Sequence, residues 1–371
     1  MQSTWKIASG LVILLIVSVN QAIAVPPCAF TPAQSHFAQL NLQGDAQFFR
    51  SEYNDNRSSS ITGKVETNFK RLFDSELFGY QLDTKGNVAL TPTGLDYQTI
   101  GTGSLKRFFQ SDFFWLGAID LTVDSKNPFK IDLTLGAGLG RFRDVTPLAK
   151  AIRIQNALLD QNSLQGPLTD LTLQEMAQEL GHQGVSLNQQ IEKLEKIIEN
   201  TGLAAGGNLS ASALLRVEEI IRSQEEARLC GWDIAASVGG EVSNTGASLL
   251  NEAFVINWNY ALVPDPVSQW TSSARLRTGL KLLDSYSLQA SAVYGRRLSE
   301  TSRVRASYEF KRDHDKGKDY VADVERHQLS GTLLLQLSAA LSLSISGELK
   351  YQLGYERPSF NLAVQLSYDI F

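Results

Sequence analysis

Residues Leu341 to Glu356 read Leu-Ser-Leu-Ser-Ile-Ser-Gly-Glu-Leu-Lys-Tyr-Gln-Leu-Gly-Tyr-Glu, alternating almost without a break. Leu341, Leu343, Ile345, Leu349, Tyr351, Leu353 and Tyr355 fall on one side. Ser342, Ser344, Ser346, Glu348, Lys350, Gln352 and Glu356 fall on the other. A period of two predicts a strand with one apolar and one polar face. At about 15 residues it is far longer than the ~5–6 usual for strands in soluble proteins.

The pattern recurs on both sides of a central interruption. Val304, Ala306, Tyr308 and Phe310 alternate with Arg305, Ser307, Glu309 and Lys311. Ala274, Leu276, Thr278, Leu280 and Leu282 alternate with Arg275, Arg277, Gly279 and Lys281. Upstream, Phe129 to Leu139 alternates against Lys130, Asp132 and Thr134, and Phe113 to Val123 against Asp120 and Thr122. A soluble core has no place for so many long strands whose second face carries Arg, Lys and Glu. A barrel in lipid does, with its apolar face toward acyl chains and its polar face toward a watery interior. Six strands are expected before the interruption (41–54, 58–73, 77–91, 94–109, 112–124, 129–143). Eight are expected after it (231–243, 252–262, 271–283, 287–297, 302–312, 325–338, 341–356, 360–371). The total is even, as in bacterial single-chain barrels.

The last strand carries Phe360, Leu362, Val364, Leu366, Tyr368 and Ile370 on one face and stops at Phe371. Here the chain resembles bacterial outer-membrane β-barrel proteins, whose final strand ends in an aromatic residue read by the barrel-assembly machinery. Tyr368 and Phe371 are the residues that would carry that signal. Asp369 stands where the usual pattern has an aromatic, so the stripe is offset by one. The resemblance is one of architecture and points to no particular family. It implies an all-β transmembrane antiparallel barrel of about 14 strands with an inserted α-helical domain.

The inserted segment, residues 146–229, changes period. Pro147 opens a run with helical spacing (Leu148, Ile152, Leu159), and Pro suits a helix start. Asp170 begins a second helix through Leu180, and Ser186 a third, Gln189 to Asn200. Ser210 or Ser212 caps a fourth that carries Leu214, Val217, Ile220 and Leu229. The expected organisation is an export signal over 1–24, an N-terminal tail over 25–40, barrel strands over 41–145, the helical insertion over 146–229 and barrel strands over 230–371. Lys6, the apolar run Ile7 to Val19 and Ala22-Ile23-Ala24 have the layout of a cleaved secretory signal. With an even strand count, both termini and the insert emerge at one end, the periplasmic end of an outer-membrane barrel. Cys28 and Cys230 then share that end and are expected to form a disulfide tying the N-terminal tail to the exit of the helical insert, with two free thiols as the alternative.

Composition narrows the functions. With 43% hydrophobic residues and a net charge of −5, disorder is excluded, and the acid-leaning balance gives no basic footprint for nucleic acid. The four histidines, His36, His182, His314 and His327, have no metal-ligand spacing, so neither metal nor cofactor is expected. His314 and His327 flank an expected charged surface loop from Asp313 to Glu325. His327 has the parity of the lipid-facing wall but no serine beside it, so the chain is not read as an enzyme.

The interior charges are mixed: Arg275, Arg277, Lys281, Arg305, Lys311 and Lys350 against Asp120, Asp132, Asp233, Glu241, Glu309 and Glu348. They either line an open pore with a transverse field or pair across a closed interior. Gly136, Gly138 and Gly140 leave one wall without side chains. Such a wall makes room for a helix or the N-terminal tail as a plug, or relieves crowding in a curved sheet. The function expected from this organisation is a porin-like or gated channel for small polar solutes. The competitor is a non-conducting anchor whose periplasmic helical domain recruits a protein partner. The partners are outer-membrane lipid and, during biogenesis, the assembly machinery.

Overall fold

The structure is a computed structural model describing residues 27–32, 34–53, 56–91, 94–109, 112–125, 129–182, 184–223, 227–243, 253–279, 285–299, 301–316, 321–338, 341–353 and 358–368. The long alternating segments form fourteen strands in one antiparallel sheet, each hydrogen-bonded to its neighbours in sequence order. Before the helices these are β1 (Gln34–Tyr53), β2 (Asn56–Ser75), β3 (Phe78–Thr91), β4 (Gly94–Phe108), β5 (Phe113–Asp124) and β6 (Lys130–Asp144). After them come β7 (Leu229–Ser243), β8 (Ala253–Leu262), β9 (Ser268–Gly279), β10 (Ser285–Ser299), β11 (Ser302–Lys316), β12 (Val321–Gln336), β13 (Leu341–Gln352) and β14 (Ser359–Tyr368). Among the described residues β1 and β14 are the two edges, and the sheet is not closed between them.

Among the strands, two boundaries differ most from the sequence expectation. The strand expected from residue 41 begins at Gln34, because pairing with β2 continues down to Gln34↔Ser75 although Phe37 breaks the apolar stripe of Leu40 and Leu42. The segment expected as a charged surface loop, Asp313 to Glu325, is largely strand. β11 and β12 stay paired through Asp313↔Val324, His314↔Asp323 and Lys316↔Val321. Opposed charges hold the ladder there, with His314 Nδ1 2.7 Å from Asp323 Oδ1. Cross-strand pairs of opposite charge stabilise a sheet as apolar ones do.

The helical insertion leaves and re-enters the sheet at register partners, Asp144 and Leu229. Excising it in thought leaves a β6–β7 hairpin, so the sheet does not depend on it for continuity. It contains α1 (Thr146–Asp160), α2 (Asp170–Gly181), α3 (Leu187–Asn200) and α4 (Ala211–Arg222). Local chemistry sets their starts. Pro147 lies in the first turn of α1, the Thr169 hydroxyl accepts from the Thr172 N–H, and the Ser210 hydroxyl accepts from the Ala213 N–H. Ser186 and Gln189 form a reciprocal capping box on α3. Leu229, expected on the fourth helix, is instead the first residue of β7, and α4 ends at Arg222.

The core lies in this helical unit. Leu148, Ile154, Leu158, Met176, Leu194 and Ile198 are fully enclosed. Phe30 from the N-terminal segment and Val263 from the β8–β9 turn complete the same cluster. The unit is thereby seated on the end of the sheet where β1 starts and β14 ends. Cys28, in a single 3-10 turn (Pro27–Ala29), is bonded through sulfur to Cys230 at the start of β7. Reduction should therefore slow the chain's migration on a denaturing gel. Identical mobility with and without reductant, and two thiols open to alkylation, would refute the crosslink.

Lys150 of α1 reaches the end of α4, where its Nζ donates to the carbonyls of Ile221 (2.8 Å) and Ser223 (3.2 Å). Burial, reinforced by nearby Arg153 and Arg297 and opposed by Asp144, pushes this ammonium down to about 8 from an ordinary 10.5. Between those values the unfolded chain holds the proton that the folded chain has released. Stability from this group therefore rises with pH through that window and is lost as pH falls through 8. Thermal unfolding followed by the helical circular-dichroism signal should show this rise in the wild type and lose it in Lys150→Met. Parallel pH profiles would contradict the assignment.

Candidate functional site

The candidate site is the polar face of the sheet from β4 to β9, where the sheet turns sharply on itself. The turn is made between β6 and β7. A Cβ on Gly136 would lie 2.2 Å from the Ala236 carbonyl oxygen, and one on Gly138 would lie 2.4 Å from that of Ile234. In a flat ladder a Cβ stands clear of the partner backbone. Here the two strands are folded so far toward the polar face that no side chain fits between them. Gly140 adds a kink at φ +103°. It reverses the alternation, so that Leu139 is exposed on the apolar face while Arg141 reaches inward to Asp74 of β2 (3.5 Å).

The glycine row therefore serves curvature. Among the described residues, the space above Gly138 is taken by a side chain. Phe114 of β5 is fully buried, and its ring occupies the space above Gly138, 2.5 Å from where a Cβ would be. With Phe108, Leu116 and Ala235 it forms a small apolar cluster on the otherwise polar face. Arg141 stacks over Phe108 at 3.8 Å, and Lys106 stands 4.8 Å above Phe114.

Around this cluster, ion pairs cross the concave face. The Lys106 ammonium on β4 binds the Asp233 carboxylate on β7, three strands away. Asp233 is 2% exposed and also accepts from Asn259 Nδ2 at 2.7 Å. Arg275 on β9 donates to Asp120 on β5 at 3.1 Å, and Arg277 on β9 donates to Asp132 on β6 at 2.9 Å. At the helical end, the Ser35 hydroxyl on β1 accepts from the Asp144 N–H on β6. Contacts between strands three to five apart are possible only if the sheet is strongly curled. The buried carboxylates of Asp132 and Asp233 are each matched by a cation at close range, which offsets their desolvation.

The structure thus brings together Asp120, Asp132, Asp233, Arg275 and Arg277. Glu348, Lys350 and Lys311 instead make local contacts within β11–β13. Lys350 and Gln328 share Glu348 at 2.8 and 2.6 Å, and Lys311 pairs with Asp313 at 3.0 Å. By register, Glu309 lies opposite Gln328 on the same face, and Arg305 lies opposite Thr332. Glu241 lies opposite Asp132. Lys281 and Phe371 lie outside the described residues, and Tyr368 is placed only by its pairing with Leu341. Sequence reasoning missed Lys106, Arg141, Asp74, Asn259 and Phe114. Lys106 was findable by parity between Leu105 and Arg107, and Phe114 as an aromatic on the polar side of β5.

Elsewhere, His327 on the apolar face bonds to the Tyr308 hydroxyl (2.8 Å) and to Glu325 (2.9 Å). Among the described residues no three His, Cys, Asp or Glu side chains are arranged to hold a metal. The polar face pairs opposite charges at close range. No protein-family model matches this chain, and no curated protein is significantly similar to it.

Proposed function

We propose that the chain is an outer-membrane β-barrel acting as a gated channel for small polar solutes, closed in this conformation by its own side chains. The observation that carries the reading is the exposed apolar face of a fourteen-strand antiparallel sheet. Leu135 is 70% exposed, Val238 58% and Leu362 66%, an arrangement that water disfavours and acyl chains satisfy. Aromatics gather near both strand ends on this face. Phe73, Tyr80, Trp115 and Trp270 lie toward the helical end, and Tyr97, Phe254, Tyr286 and Tyr351 toward the other. Two such belts fit the two membrane–water interfaces. An even number of antiparallel strands lets β1 and β14 close in antiparallel fashion, and the helical unit would then face the periplasm.

The crossing pairs Arg275–Asp120 and Arg277–Asp132 support a closed state that loses two charge contacts on opening. The anchor reading has its own support in Leu171 and Leu215, which stand 77% and 66% exposed on the helical unit. Planar-bilayer recording on the refolded chain separates the two. Transitions between silent and conducting states support the gated channel. Silence at every voltage, including in Arg275→Gln/Arg277→Gln, supports the anchor.

A further inference from the structure

The apolar face carries one feature that simple contact with bulk lipid does not require. A groove of about 750 Å³ runs across β4–β8. Its floor is made of small residues: Gly117, Ala137 and Ala236, the last two being register partners. Trp115 and Phe254 stand at its sides. At its edge lies Arg107, exposed on the apolar face and paired in register with Trp115 and with Phe78. Among the described residues that line the groove, Arg107 is the one charged side chain.

We propose that this groove binds one acyl chain of an anionic phospholipid whose phosphate pairs with the Arg107 guanidinium. The inference rests on the membrane reading above and adds a defined lipid site to it. Arg107 lies in the aromatic belt at the helical end, the depth at which headgroup phosphates sit. A guanidinium offers a planar fork that matches a phosphate, and no carboxylate lines the groove to neutralise it. The floor of glycine and alanine lets a chain lie against the backbone, where bulkier side chains would hold it off. A polar solute would find one charge and otherwise hydrocarbon.

The test is native mass spectrometry of the folded chain in detergent micelles with equal phosphatidylglycerol and phosphatidylethanolamine. Phosphatidylglycerol should be retained about fivefold over phosphatidylethanolamine, the effect of one basic contact to an anionic headgroup. Arg107→Gln should bring the ratio to near one, and Ala137→Phe, which fills the floor, should reduce retention of both lipids. A wild-type ratio near one, or a ratio unchanged by Arg107→Gln, would overturn the site. So would displacement by inorganic phosphate with Ala137→Phe having no effect, which would mark a headgroup contact without a chain. These outcomes leave the membrane reading standing. A chain that never acquires the folded, heat-modifiable gel mobility of a barrel would overturn both.

Discussion

Gly138→Leu should strongly reduce the fraction of chains that reach the folded form. The first added carbon alone would meet the Ile234 carbonyl oxygen at 2.4 Å and the Phe114 ring at 2.5 Å. Rotation about χ1 cannot move a Cβ, so relief requires opening the β6–β7 fold and displacing a buried aromatic. Overpacking of ordinary cores costs about 1–3 kcal/mol, and a clash with backbone lies at or beyond the upper end. The yield of heat-modifiable, protease-resistant protein should fall at least ~tenfold for Gly138→Leu, with Gly138→Ala between it and the wild type. Gly295 and Gly331 have nothing within 4 Å of an added Cβ, so Gly295→Ala and Gly331→Ala should fold normally. Normal folding of Gly138→Leu would show that the sharp fold between β6 and β7 is not a fixed feature.

The second large effect concerns conductance. Asp120→Asn combined with Asp132→Asn removes both acceptors of the β9 arginines while leaving shapes nearly unchanged. Arg275–Asp120 is partly exposed and worth at most about 1 kcal/mol. In Arg277–Asp132 the carboxylate is buried and the pair is worth at least as much, so together they bias opening by about tenfold. The double variant should therefore spend about tenfold more time open in planar bilayers than the wild type. The bias should shrink at high salt, where the wild-type pairs are themselves screened. Equal open fractions with intact folding would separate these pairs from gating. Asp233 behaves differently because it is buried. Asp233→Ala strands the Lys106 ammonium, and losing one partner of such a pair costs about 3–5 kcal/mol. That change should appear as a lowered unfolding midpoint, whether or not the chain conducts.

Strand positions and faces were legible because period-two alternation is a local signal, repeated fourteen times and interrupted once. Helix starts were legible for the same reason, since Ser186 and Gln189 satisfy each other within one turn. Partnerships across the concave face were not. Lys106 and Asp233 are 127 residues apart, and Arg277 and Asp132 are 145 apart. Which charges meet depends on curvature and register, and alternation encodes neither. The glycine row was visible, but its role depends on β7 passing behind it, so space for a plug and space for a bend looked alike. The charged hairpin at His314 and Asp323 misled for a related reason. Charges on both faces look like a solvated loop until the opposing strand is placed beside them.

Contact of the apolar face with acyl chains is open to direct measurement. Every tryptophan after the signal-like segment (Trp115, Trp232, Trp258 and Trp270) lies on that face, with Trp115 57% and Trp232 48% exposed. Fluorescence of the chain refolded into vesicles of brominated phospholipid tests it directly. The account predicts strong quenching by the bromines, greatest when they sit close to the headgroups, and little quenching by aqueous iodide. Iodide quenching with no effect of brominated lipid would contradict it.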